Sequence, residues 1–121
     1  MFLRFTISDL HEESGQPVGI FHAVRYLRDE GQLTTEQEEV ADAVFAWLYD
    51  HLDAPAEQLL AAHPEALSWF RATATQHIDQ AERLIPILEA HGHRVRRAKR
   101  VDPGTIVYAD SAQVLALPAV S

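Results

Sequence analysis

The first stretch that decides the fold is Phe2-Leu3-Arg4-Phe5-Thr6-Ile7, in which apolar residues stand at every second position. Successive side chains of an extended chain point to opposite sides, so Leu3, Phe5 and Ile7 share one side. The pattern predicts a β-strand with one buried face. Residues 8–15 are polar and rich in turn-forming types, which predicts a loop before the next element.

Two helices are predicted in the following part of the chain. Residues 17–30 carry apolar side chains at helical spacing and are followed by a glycine, which is a helix stop signal. The second helix begins at Thr34 or Thr35, because a hydroxyl with Gln37 or Glu38 three positions later matches a capping box. Its apolar positions continue at helical spacing.

The next two segments are also predicted to be helical. Residues 55–63 indicate a short helical turn that ends before a proline. Residues 64–92 carry apolar side chains at helical spacing, which predicts a long helix. Pro86 lies inside this segment, and an interior proline costs about 3 kcal/mol in a regular helix. We therefore expect either a bend near residues 82–85 or two abutting helices.

The period changes from helical to alternating after Gly92. Residues 94–101, 105–108 and 113–117 predict three strands, separated by turn-forming residues. The predicted fold class is α+β, with a single domain over residues 1–121 and the order β-α-α-α-β-β-β. We expect the helices to pack on one face of a small four-stranded, largely antiparallel sheet.

Composition limits the classes of protein to which this chain can belong. Its 121 residues are 47% hydrophobic, which is enough for one core. It has no cysteine, which excludes disulfides, thiolate metal sites and thiol nucleophiles. No stretch approaches the roughly 20 apolar residues of a membrane helix, and the initial apolar run is too short for a signal peptide. We expect a cytoplasmic protein that binds no membrane.

The charges are unevenly distributed along the chain. It carries 18 acidic residues and 10 Lys or Arg residues, a formal net charge of −8, and five of the ten basic residues fall within residues 94–100. As a strand, this stretch would carry charge on both sides, which is how edge strands prevent unwanted pairing. We therefore place it at the edge of the sheet. Because the remaining charge repels phosphates, we expect no binding to nucleic acid.

Histidine is frequent in the sequence, and His91 and His93 flank Gly92. Such a pair can chelate a metal, but a site needs a third and a fourth ligand, and no second ligand pair is present. A histidine near the C-terminus of a helix also complements the helix dipole. The sequence has no glycine-rich phosphate loop. We therefore expect no metal site and no cofactor.

Five segments, in order along nearly the whole chain, form a recognisable pattern: Met1-Phe2-Leu3-Arg4-Phe5, Glu13-Ser14-Gly15, Gly19-Ile20-Phe21-His22-Ala23, Ser68-Trp69-Phe70-Arg71, and Tyr108-Ala109-Asp110 with Gln113-Val114. Together they resemble a widespread family of uncharacterised bacterial proteins of about this length. The resemblance implies one shared fold over the complete domain. It implies no activity, and therefore no catalytic residue.

The main functional hypothesis is an acidic protein-binding module. Small size, an acidic surface and the lack of a catalytic motif are typical of immunity or antitoxin-type inhibitors, which bind a basic enzyme such as a toxin or nuclease. Carboxylates on a helix can mimic phosphates and steer a basic partner. The candidate partner-binding residues lie on the second helix and at its end: Glu36, Glu38, Glu39, Asp42, Asp50 and Asp53.

The alternative hypothesis is a small enzyme of unknown reaction with its site in residues 11–25. The candidate catalytic residues are His11, Glu13 and Ser14 in the loop and His22 in the following helix, because loops on rigid scaffolds often carry function. No G-x-S-x-G elbow accompanies them, so the sequence favours binding over catalysis. A symmetric homodimer, formed through a sheet edge or an apolar helix face, is a third and compatible hypothesis.

Overall fold

The computed structural model describes residues 1–10 and 15–118. Their elements are β1 (Phe2–Leu10), β2 (Pro17–Gly19), α1 (Ile20–Asp29), α2 (Thr35–His51), α3 (Glu57–Ala62), β3 (Leu67–Arg71), α4 (Thr75–Glu82), α5 (Ile85–Ala90), β4 (Arg96–Arg100), β5 (Thr105–Ala109) and β6 (Gln113–Leu117). The α+β class and the antiparallel sheet are confirmed. The predicted strand count and order are wrong, because six strands stand in the order β-β-α-α-α-β-α-α-β-β-β.

β1 organises the sheet because it pairs with three strands, all antiparallel. One edge of β1 pairs with β4, which has no other partner among the described strands and is therefore an edge strand, as predicted. The other edge is shared, since Phe2 and Leu3 pair with β3 whereas Thr6 and Leu10 pair with β2. Residues 4–5, between these pairs, face no described strand on that edge. β3 continues the sheet to β6 and then β5.

The largest correction concerns residues 64–92, which were expected to start as a helix. Leu67–Arg71 instead forms β3, in which Phe70 joins the core under the helices and Trp69 packs in a cluster on the opposite face. A strand that is buried on both faces loses its alternation, so its apolar residues can match helical spacing. Similarly, Pro17–Gly19 forms β2 rather than the first turn of a helix.

Two local signals are confirmed. The Thr34 side chain accepts a hydrogen bond from the Gln37 amide (3.1 Å), and the Gln37 side chain accepts one from the Thr34 amide (3.0 Å), which completes the capping box of α2. α4 ends at Glu82 and α5 begins at Ile85, with Pro86 in its first turn. The segment therefore divides into two abutting helices at the place where the proline requires it.

The hydrophobic core lies between the sheet and the helices. Buried side chains of α1, α2, α4 and α5 form one cluster with the strand residues Leu3, Phe5, Ile7 and Phe70. A smaller cluster on the opposite face consists of strand residues alone, with Trp69, Val114 and Ala116 at its centre. None of the helices in the described residues combines the length and the apolar character that crossing a membrane requires.

Candidate functional site

A cleft opens beside the part of β1 that lacks a strand partner. Its volume is about 650 Å³, which lies within the usual range of small-molecule sites. The walls come from β1, β2, β3, α1 and α2, and from residues 52–55 beyond the end of α2. The change of strand partner along β1 is therefore what makes room for the cleft.

Aromatic rings form one wall of the cleft. Phe21 on α1 meets Phe70 on β3 edge to face, with ring centroids 5.9 Å apart. Phe45 on α2 lies against Phe21 at a centroid distance of 6.5 Å. Because edge-to-face and tilted contacts hold aromatic rings in defined orientations, this wall is preformed.

Arg4 lines the cleft where the two partner strands of β1 separate. Its guanidinium donates to the Ser68 carbonyl oxygen through Nη1 and to the Pro17 carbonyl oxygen through Nη2, both at 3.2 Å. These bonds tie β2 to β3 in place of strand hydrogen bonds. In residues 1–10 and 15–118, no carboxylate forms an ion pair with Arg4. Burial lowers the pKa of Arg4 to about 10, so the side chain stays cationic at neutral pH.

Two further arginines line the cleft from α1, and both lie over the ring of Phe45. The guanidinium carbon is 4.8 Å from the ring centroid for Arg25 and 5.3 Å for Arg28. These are cation–π distances, so the ring holds both cations beside the cleft. Arg28 also donates a hydrogen bond of 3.3 Å to Asp42, which compensates part of its charge.

The cleft is positively charged although the protein is acidic. Its described lining contains three of the ten basic residues, Arg4, Arg25 and Arg28, but only Asp53 of the 18 acidic residues. α1 begins at the cleft with Gly19 as its N-cap, so the positive end of the helix dipole adds to the field. A Cβ atom at Gly19 would lie 3.4 Å from Nη2 of Arg4. The cleft therefore suits an anion with an apolar body.

A hydrogen-bond network anchors one end of the cleft. The buried Gln113 donates from Nε2 to the carbonyl oxygen of Asp53 at 2.7 Å, which fixes the end of α2 to the sheet. Asp110 accepts at Oδ1 from the amides of Ala112 and Gln113, both at 2.8 Å, and at Oδ2 from the Tyr108 hydroxyl at 2.9 Å. Burial would raise the pKa of Asp110, but these hydrogen bonds outweigh it and hold that pKa below its ordinary value.

The structure separates the carboxylates that were expected to bind a partner. Asp42 is held by Arg28, and Asp53 lies beyond α2 and lines the cleft. The other four are exposed along α2: Glu36, Glu38, Glu39 and Asp50. All six residues are exposed, and their assignment to partner binding stays a prediction.

Three of the four candidate catalytic residues, His11, Glu13 and Ser14, lie outside the described residues. The fourth, His22, is exposed and lines the cleft. The enzyme hypothesis therefore stays a prediction.

His91, at the end of α5, contacts a side chain of α2: its Nε2 lies 3.2 Å from the side-chain oxygen of Gln37. In the described part of the chain, no three His, Asp or Glu side chains are grouped as metal ligands.

Sequence reasoning misses Arg4 and Gln113. Arg4 lies on the polar side of an alternating strand, and such a residue is expected to face solvent. Only the separation of β2 from β3 brings it to a cleft, and no local pattern encodes that separation. The one available signal is a lone cation between Leu3 and Phe5 in an otherwise apolar run.

Four of the five segments that carry the family resemblance meet at the cleft. Among other residues they contribute Arg4, Phe21, Ser68 and Gln113 to its lining. Comparison with protein-family models, with curated proteins and with solved structures gives no match to this chain. The resemblance stays a prediction, and function is therefore inferred from the cleft.

Proposed function

We propose that this protein is a binding domain for a small organic anion with an apolar body. The observation that carries the proposal is Arg4, a half-buried cation at the wall of a cleft of about 650 Å³, without an ion-pair partner among the described residues. A carboxylate or phosphate beside it would accept charge-assisted hydrogen bonds. The body of the ligand would pack against Phe21, Phe45 and Phe70.

An anion is favoured because Arg4 has lost part of its hydration without gaining a counter-charge. Its guanidinium has five N–H donors, and the carbonyl oxygens of Ser68 and Pro17 each accept one hydrogen bond, from Nη1 and Nη2 respectively. Arg4 is only half-buried, and its side chain lines the cleft. A ligand in the cleft can therefore accept further hydrogen bonds from Arg4.

The test compares an acid with its neutral isostere, phenylacetate with phenylacetamide, by isothermal titration calorimetry. We expect the wild-type protein to bind the acid at least about tenfold more tightly, because hydrogen bonds to charged groups contribute about 1.5–3 kcal/mol. Arg4→Met keeps an apolar stem but removes the cation, so this variant should lose the preference for the acid. Phenyl phosphate tests whether a phosphate replaces the carboxylate.

The matched control is Arg83→Met, which removes an exposed arginine on the chain between α4 and α5. Arg83 does not line the cleft, so this variant should bind like the wild type. Equal affinity of the wild type for the acid and the amide would contradict the proposal. So would an unchanged preference for the acid in a folded Arg4→Met variant.

A basic protein is a second candidate ligand, supported by the exposed carboxylates of α2. No ion pair within the described residues involves Glu36, Glu38 or Glu39, so their field can steer a cationic partner. A purified basic ribonuclease serves as the probe in a binding assay. Binding that is lost in the triple variant Glu36→Gln, Glu38→Gln, Glu39→Gln supports this candidate, and equal binding by both proteins contradicts it.

A further inference from the structure

β4 offers a regular, unpaired edge in the described part of the chain. It pairs with β1 over five consecutive residues without a shift in register, and no described strand lies along its other side. A regular edge presents backbone N–H and C=O groups that can bind an additional strand. The opposite edge of the sheet, β5, is less suited because its register shifts between Ile106 and Tyr108.

The exposed side chains of β4 carry positive charge on both faces of the sheet. Arg97 lies opposite Phe5, whose side chain packs under the helices, so Arg97 is on the helix side of the sheet. Because side chains alternate along a strand, Lys99 shares that side, and Arg96 and Arg100 lie on the other side. Arg97 forms an ion pair with Glu82, with 3.9 Å between Nη2 and Oε2. The other three form no ion pair within the described residues. An added strand would therefore meet cations on both faces.

These charges select the strand that can pair with β4. A second copy of β4 would bring two sets of cations together, and like charges on neighbouring strands destabilise pairing. A strand with carboxylates on both faces would instead form opposite-charge pairs with β4. We propose that the outer edge of β4 binds an extended acidic peptide segment of a partner protein, which adds a strand to the sheet.

Nucleic acid fits the same surface less well. Residues 94–101 contain no aromatic side chain on which a base can stack. A peptide needs no stacking, because backbone hydrogen bonds hold it along the edge.

The probe for this surface is a fluorescein-labelled peptide, Glu-Val-Glu-Glu-Val-Glu, which places carboxylates on both faces of an extended chain. Fluorescence anisotropy should show binding that weakens as salt is added. The peptide Glu-Pro-Glu-Glu-Pro-Glu has the same charge but lacks amide donors at its prolines. We expect it to bind at least about tenfold more weakly, because ladder hydrogen bonds are lost.

The double variant Arg96→Glu, Arg100→Glu should weaken binding of the acidic peptide by at least about tenfold, since two attractive pairs become repulsive. Arg83→Glu, which reverses one exposed charge elsewhere, should have a much smaller effect. Amide hydrogen exchange in β4 should slow when the peptide binds to the wild-type protein. Far-UV circular dichroism verifies that each variant is folded.

Four results would overturn the proposal. These are no binding of the acidic peptide, equal binding of the proline analogue, equal or tighter binding of oligothymidylate, and unchanged affinity in the folded double variant. Equal binding of the proline analogue would show that charge alone, without strand pairing, attracts the peptide. The phenylacetate experiment concerns a different surface, so the two proposals succeed or fail separately.

Discussion

Asp110 closes the turn between β5 and β6 with one carboxylate group, which accepts the amides of Ala112 and Gln113 and the hydroxyl of Tyr108. Asp110→Ala leaves these donors without their acceptor. We expect the free energy of unfolding at neutral pH to fall by about 1–2 kcal/mol. Urea denaturation measures the change. Ser111→Ala, an exposed neighbour in the same turn, is the control and should stay close to the wild type.

The effect of Asp110→Ala should depend on pH in one direction. The pKa of Asp110 is lower in the folded protein than its ordinary value of 3.8. Its ionised form therefore stabilises the fold fully above that ordinary value, and the contribution is lost as the pH falls through the folded-state pKa. The difference between wild type and variant should be constant near neutral pH and narrow in acid. A difference that widens in acid would contradict this assignment.

Arg4 shows how one side chain serves two purposes at the residue scale. Its bonds to the carbonyl oxygens of Ser68 and Pro17 span the place where β2 and β3 separate. The same position gives it access to the cleft. Binding and stability are therefore linked at this residue, and each Arg4 variant needs an unfolding measurement beside its binding isotherm.

Among the elements, α2 depends on its N-terminal capping box. Thr34→Ala removes the acceptor for the Gln37 amide, and we expect a loss of about 1 kcal/mol in the free energy of unfolding. Thr35→Ala changes the neighbouring threonine, which is inside the helix and not its cap, and should cost less. Urea denaturation of both variants checks the prediction. Equal losses would show that the capping box contributes nothing specific.

Elements whose determinants are local can be predicted from the sequence, and β3 shows why others cannot. The capping box and Pro86 act within their own segment, so the start of α2 and the division between α4 and α5 follow from the residues there. β3 is a strand because β1 and β6 flank it and both of its faces are buried. These partners are distant in sequence, and the local spacing of Trp69 and Phe70 does not reveal them.

The candidate site follows the same rule. His22 can be selected from the sequence because it lies on the helix that follows a polar loop. The contribution of Arg4 depends on a gap between two strands, and that of Gln113 on contact with the end of α2. Both are consequences of assembly. The acidic residues of α2 are exposed as their polarity predicts, yet Asp42 and Asp53 take other roles that only the structure shows.

At the scale of the whole molecule, the two hydrophobic clusters should unfold together. β3 contributes Phe70 to one cluster and Trp69 to the other, so neither can open while the other keeps its strand. Trp69→Phe leaves Trp47 to report the helix side, and Trp47→Phe leaves Trp69 to report the opposite side. In each variant, the urea midpoint from fluorescence should coincide with the midpoint from far-UV circular dichroism.

Separate midpoints in either single-tryptophan protein would show that the clusters are independent units. Each variant is compared with its own circular dichroism curve, so a general loss of stability does not affect the test. If both clusters unfold as one unit, the dependence of the free energy of unfolding on urea concentration should also be nearly the same in the variants as in the wild type.

The pairing of β1 with β4 also determines when the fold can be completed during synthesis. Phe2 lies opposite Arg100, so most of the described chain must leave the ribosome before these strands can meet. At the usual rate of translation this takes roughly 5–20 s. β2 and β3 are translated earlier but pair only with the opposite edge of β1, so the edge that β4 covers stays open on the nascent chain until β4 has been made. The sheet around β1 is therefore completed only after β4 has been translated.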